Sequence, residues 1–295
     1  MIREEDLLRR RNLFEIGTAK ALTLDEQVQT FVPTKAFWRV LSPRNHVILG
    51  SRGSGKTALA RMLSHDHLSL LRIQEAQQII RERSYIGTYV STRVEWVGGL
   101  RNKPWLSDQE LERLFEWRLN VATCQAFVST VQSCLNTYVS DMPTKLATAE
   151  KLAAELGRAW IDDKRFLDEF LERPTLVKLV HYLSGLDYEH LRMIEHIRAW
   201  GLSEDEHWRI GPTMAMPLFR PLREGIRLVS PNLAIPETCS WLLCIDEVEF
   251  LDPMFQRIIN TQLRAHSGNL VFKIVDDTDE IIVFIVVINH KRTIQ

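Results

Sequence analysis

No apolar run in this 295-residue chain approaches the roughly 20 residues that a membrane-crossing helix needs. The opening Met1-Ile2-Arg3-Glu4-Glu5-Asp6 is too charged for a secretory leader, so a cytoplasmic protein with no membrane partner is expected. Cysteine is scarce. Cys124, Cys134, Cys239 and Cys244 form no C-x-x-C pair and read as core thiols rather than zinc or redox groups. Histidine supplies no metal motif either, since His190 and His196 fall on different helix faces and there is no H-E-x-x-H. A formal charge of −1 removes any overall basic bias toward nucleic acid, while leaving room for a local basic face. No internal repeat or low-complexity tract is visible, and 45% hydrophobic residues suffice for a sizeable core.

What the chain does have is Gly50-Ser51-Arg52-Gly53-Ser54-Gly55-Lys56-Thr57, a complete G-x-x-x-x-G-K-T loop. It follows the apolar His46-Val47-Ile48-Leu49, of strand length, and precedes the helix-prone Ala58-Leu59-Ala60-Arg61-Met62-Leu63. Glycines at 50, 53 and 55 permit torsions that a side chain forbids, so successive N–H groups can turn inward around phosphates. The helix beginning near Lys56 adds its unpaired amides and positive dipole end. Binding of a nucleoside triphosphate, ATP, is expected, with Lys56 bridging the β- and γ-phosphates and Thr57 ligating Mg²⁺. Arg52 reads as a solvated member of the loop.

A second motif, Trp241-Leu242-Leu243-Cys244-Ile245-Asp246-Glu247, is an apolar run ending in two acids. Such a run suits a parallel strand covered on both faces, whose carboxyl end is where α/β sheets place ligands. Asp246 is expected to serve Mg²⁺ directly or through a metal-bound water, and Glu247 to orient or deprotonate the attacking water. Glu249 and Asp252 read as a solvated turn and a helix cap.

With this Asp-Glu pair behind the glycine loop, the chain resembles the additional-strand catalytic glutamate class of P-loop ATPases, which includes the AAA+ and STAND families. More narrowly, Asn12-Leu13-Phe14-Glu15 through Ser42-Pro43-Arg44-Asn45 looks like bacterial origin-recognition-type (Orc-like) AAA ATPases, as does Phe250-Leu251-Asp252-Pro253 through Asn269-Leu270-Val271-Phe272-Lys273-Ile274. The resemblance implies an α/β P-loop NTPase three-layer sandwich with a mainly parallel sheet. It also implies ATP-driven conformational switching or assembly, on nucleic acid or in genome defence.

Five stretches follow. Residues 1–45 form an N-terminal, adenine-side segment in which Ile16, Phe37 or Leu41 would touch the base, by the same resemblance. Thr23-Leu24-Asp25-Glu26 opens a short helix there as a capping box. Residues 46–98 are the first half of the NTPase core, with a second strand near Tyr85–Val90 and His65-Asp66-His67 as a solvated turn closing the loop helix. Residues 99–230 are a large helical insertion, with a capping box at Ser107-Asp108-Gln109-Glu110 and one long helix through Leu135. Further helices are expected at 144–157, 162–172, 174–184 and 187–200, then an irregular loop at 210–222. The insertion's aromatics read as core, with Trp105, Trp117 and Arg113 as an alternative surface for a protein or nucleic-acid partner.

Residues 231–275 complete the core with the acidic strand, and 276–295 are expected to be a C-terminal hairpin tail. Relatives end the strand at 270–275 in a neutral polar sensor, whereas this chain runs into Asp276-Asp277-Thr278-Asp279 and leaves no room for a helical lid. The last 25 residues are similar to the terminal hairpin of RelE/ParE-type toxins, ending here in His290-Lys291-Arg292. The likeness stops at that hairpin and implies strand pairing around an Asp-rich turn, not ribonuclease activity.

Two functions remain. One is a Mg²⁺-dependent ATPase acting as a homo-oligomer, with Arg257 or Arg264 supplied in trans to the neighbouring γ-phosphate. The other is a hydrolysis-poor switch that binds ATP or ADP and presents its helical insertion to a partner.

Overall fold

The computed structural model describes residues 22–92, 107–186, 188, 213–264, 269–277 and 284–288. Five strands, β1 (Asn45–Gly50), β2 (Tyr85–Ser91), β3 (Ser240–Asp246), β4 (Leu270–Asp277) and β5 (Phe284–Ile288), form one sheet in the order β2-β3-β4-β1-β5. The first four are mutually parallel and β5 runs antiparallel beside β1. Alternation along the strands feeds two cores. Trp241, Leu243 and Ile245 of β3 point to one, and Leu242 and Cys244 to the other. A strand buried on both faces has no polar positions to alternate, which is why β3 reads as an unbroken apolar run.

One face is covered by α1 (Leu24–Thr30), α2 (Lys35–Val40), α3 (Lys56–Met62), α4 (His65–Leu68) and α5 (Gln74–Glu82). The other carries α6 (Asp108–Tyr138), α7 (Met142–Trp160), α8 (Lys164–Glu172), a helix over 176–186, α9 (Arg220–Asn232) and α10 (Pro253–Arg264). The result is the three-layer α/β sandwich of a P-loop NTPase. Both capping boxes form: Thr23 with Glu26 opens α1, and Ser107 with Glu110 opens α6.

The helices between the two halves of the core share the sheet's own hydrophobic core. Successive helix residues are rotated by about 100°, so the unbroken burial of residues 117–124 means that α6 is encased on every side there. Phe115 stacks on Phe255 of α10 at 4.4 Å, and Phe127 meets Trp241 of β3 at 5.5 Å. Asn120 is buried and fully used: Nδ2 donates to the carbonyls of Met214 (3.0 Å) and Met216 (2.9 Å), and Oδ1 accepts from Phe219 N (2.7 Å).

Three expectations change, and the alternative of a partner surface at Trp117 closes. Trp117, only 3% exposed, belongs to this core and so lines no partner surface with exposed Arg113; Trp105 and most of the helix expected at 187–200 lie outside the described residues. The loop expected at 210–222 becomes α9 from Arg220 onward, because Pro221 sits in the first turn, where a missing N–H is not needed. His65-Asp66-His67 is not a solvated turn: it forms α4, and His65 is fully buried, bonded to Ser133 Oγ (2.9 Å) and Tyr138 Oη (3.1 Å) of α6. Finally, β5 makes no hairpin with β4. Both edges of β4 are taken, by β3 and β1, so β5 adds to the far edge of β1 with Val47 opposite Val286.

The turn leading into β1 is fastened from beneath by Lys273 of β4. Its buried ammonium reaches the carbonyls of Ser42 (2.8 Å) and Arg44 (2.5 Å) and His46 Nδ1 (2.8 Å). Burial draws the Lys273 pKa down to about 7, and burial followed by the neighbouring Lys273 charge draws His46 down to about 4.

Candidate functional site

β1 delivers the glycine loop to the carboxyl edge of the sheet, and α3 begins directly after it. Gly53 and Gly55 adopt φ of +84° and +88°, the left-handed region that glycine enters without strain. Gly55 is the N-cap of α3 and gives its first turn no side-chain cap, as an anion-binding helix start requires. Ser54 N–H closes a turn on Ser51 O at 3.2 Å. Its Oγ is buried with no hydrogen-bond partner among the described residues. Lys56, 6% exposed, folds back to donate to the carbonyls of Gly50 (2.6 Å) and Ser51 (2.8 Å), while Arg52 is exposed.

The acidic end of β3 lies alongside. Asp246 is 1% exposed and accepts hydrogen bonds from Tyr89 Oη (2.7 Å, to Oδ2) and from Glu247 N (2.9 Å, to Oδ1), with the Thr57 side chain beside it. Burial raises its pKa in spite of these donors. Glu247 is half-buried and sits at φ +67°, ψ +30°, a conformation that costs a non-glycine residue roughly 1–3 kcal/mol. Two residues from the end of β2 hold it there. Ser91 Oγ donates to its carboxylate, and Thr92 Oγ1 contacts the carbonyls of Asp246 (3.0 Å) and Glu247 (2.9 Å).

A glycine loop, a buried lysine and two acids from a distant strand thus converge at one sheet edge. The family model of ORC-CDC6-like proteins matches residues 12–275. The chain belongs to that family. At the family level it is therefore an ATP-binding ATPase of the AAA type. No curated protein and no solved structure matches it.

The ORC-CDC6-like fold brings every residue of the loop from Gly50 to Thr57 to the same sheet edge as Asp246 and Glu247. It treats the base-contact expectations differently. Phe37 is fully buried between Phe31 (5.0 Å) and Trp38 (4.9 Å), leaving it no surface to meet a base. Leu41 is nearly buried, and Ile16 lies outside the described residues. Arg257 and Arg264 are exposed on α10. Tyr89, Ser91, Thr92 and Arg61 escaped the sequence reading. Ser91 is in register with Asp246 across the β2–β3 pair, but that fact needs the strand order. Arg61 follows Thr57 by one helical turn, the spacing that puts both on one face of α3.

Magnesium, which the family implies, suits these residues. The donors are oxygens, as a hard cation requires. A buried carboxylate whose ionised form is disfavoured by desolvation is relieved by a divalent charge beside it. Thr57 and Asp246 would hold the ion, and the orphaned Ser54 hydroxyl would face the same phosphates.

Among the described residues, no helix is long and apolar enough to cross a membrane.

Proposed function

We propose that the protein binds Mg²⁺-ATP in the loop from Gly50 to Thr57 and hydrolyses it, coupling nucleotide state to conformational switching or assembly. The observation that carries this reading is that the buried Asp246 carboxylate at the end of β3 lies beside the Thr57 side chain at the start of α3, 189 positions away in sequence. It joins the phosphate loop to the acidic strand in the arrangement that a shared metal requires.

In this reading the main-chain amides of residues 51–57 enclose the β- and γ-phosphates, and Lys56 leaves its loop carbonyls to bridge them. Thr57 and Asp246 hold Mg²⁺, whose charge offsets that developing on the phosphates. Glu247 orients the attacking water and accepts its proton. Arg257 or Arg264 of a neighbouring copy meets the γ-phosphate in a homo-oligomer, and a protein or nucleic-acid partner sets when this happens. A cytoplasmic role, including one in genome defence, fits this chemistry.

Glu247→Gln is expected to lower turnover at least tenfold while leaving ATP affinity unchanged; unaltered turnover would count against the role. Lys56→Ala is expected to abolish tight nucleotide binding.

A second reading, a hydrolysis-poor switch binding ATP or ADP, is favoured by two observations. Glu247 is engaged by Ser91, and an acid, Asp276, stands in register with Leu49 where relatives carry a neutral polar sensor. Turnover measured at several protein concentrations, with and without DNA, separates the readings. A steep rise with concentration supports an arginine in trans, and zero turnover throughout supports the switch.

A further inference from the structure

The Asp246 carboxylate has more partners than a solvated strand end needs, and they come from three elements. Oδ1 is pinned by Glu247 N at 2.9 Å, and Oδ2 by the Tyr89 hydroxyl at 2.7 Å. The terminal torsion of an aspartate is broad and nearly two-fold. One donor alone leaves the group free to swivel; donors on both oxygens fix its plane. Each carboxylate oxygen still has a second lone-pair direction for the Thr57 hydroxyl or a metal.

Tyr89 is itself braced. Its side chain leaves β2 on the face covered by α3, diagonal to Asp246, because its in-register partner on β3 is Cys244. The Arg61 guanidinium lies over its ring, 5.6 Å from the centre. A cation over the ring steadies the phenol while its hydroxyl donates to Asp246. Thr57 and Arg61 sit one turn apart on α3, so a single helix face supplies both a direct contact to Asp246 and the brace behind its second contact.

We propose that Tyr89, backed by Arg61, is the positioning residue that aims the Asp246 carboxylate at the nucleotide's magnesium. The inference rests on Asp246 being a metal ligand, as under Proposed function. Tyr89 touches neither nucleotide nor metal. It keeps one carboxylate orientation in place before the ion arrives, so its loss lowers metal affinity without touching the phosphate nest.

The test is nucleotide binding by a fluorescent ATP analogue, measured for wild type, Tyr89→Phe and Arg61→Ala. Each is titrated once in EDTA and once against increasing Mg²⁺, with circular dichroism to verify the fold. The loss of one hydrogen bond to a charged group predicts that Tyr89→Phe raises the half-saturating Mg²⁺ concentration roughly tenfold, with affinity in EDTA unchanged. Arg61→Ala, which leaves the sheet untouched, is expected to shift it by a smaller factor in the same direction. An unchanged Mg²⁺ midpoint in both variants overturns the proposal. Equal loss of affinity in EDTA and in Mg²⁺ overturns it too, since that marks a general packing role. If wild type itself binds no nucleotide, the reading of the site fails and takes this inference with it. If wild type binds with a Mg²⁺ dependence that neither variant alters, only the role of Tyr89 fails.

Discussion

The Ser91 hydroxyl donates to the Glu247 carboxylate across the β2–β3 pair, where Ser91 stands in register with Asp246. A glutamate bonded this way has an oxygen committed to the protein instead of to water. Hydrogen bonds to charged groups are worth about 1.5–3 kcal/mol, enough to hold most molecules in that arrangement.

Ser91→Ala is therefore expected to loosen the Glu247 carboxylate and raise basal ATP turnover by up to about tenfold, the factor that corresponds to roughly 1.4 kcal/mol. Nucleotide affinity should not move. Steady-state turnover against a matched binding titration checks both halves, and lower turnover would show that the serine contact supports the glutamate's working position instead.

The end of α3 is seated on β2 at a position that only glycine allows. A Cβ on Gly87 would lie 1.9 Å from Leu63 O and 2.9 Å from Leu63 C, backbone atoms that cannot yield like a side-chain tip. Gly87→Ala is expected to cost about 1–3 kcal/mol by overpacking and to weaken nucleotide binding as α3 shifts. Gly185→Ala, where a Cβ on a helical residue meets nothing within 4 Å, is the control and should be neutral to stabilising by up to about 1 kcal/mol. Urea denaturation of the two variants makes the comparison.

Acid should destabilise the protein through α4. Burial lowers His65 to about 4, and burial followed by Arg61 lowers His67 to about 4, from an unfolded value near 6.5. Both depressions mean that the unfolded chain takes up protons first. The stability is then whole above about pH 6.5 and is lost as pH falls toward 4, by up to about 3 kcal/mol for each group. Urea midpoints between pH 7.5 and 4.5 should fall for wild type and fall less for His65→Gln. A midpoint independent of pH would contradict the buried, neutral state of these imidazoles.

What was legible in the sequence was what neighbouring residues encode. The loop from Gly50 to Thr57 compresses its chemistry into eight consecutive positions, and β3 announces its double burial by having no polar alternation. Thr23 and Ser107 mark helix starts because their capping partners are three residues away. The remainder depends on which elements become neighbours. Tyr89 and Ser91 matter only because β2 lies beside β3, and the place of β5 follows from β4 having no open edge. α9 was hidden by Pro221, which punctuates a loop in sequence but is tolerated in the first turn of this helix. His65 read as a solvated group, and a partner surface for Trp117 stayed open as the alternative to core, until α6 was seen encased between the sheet and its companion helices.

The most direct test of the account is a crystal structure with Mg²⁺ and a non-hydrolysable ATP analogue. It predicts the β- and γ-phosphates against the amides of residues 51–57, Lys56 swung from Gly50 O onto them, and the metal shared between the Thr57 hydroxyl and the Asp246 carboxylate, directly or through one water. A nucleotide bound elsewhere, or a metal beyond the reach of Asp246, would contradict it.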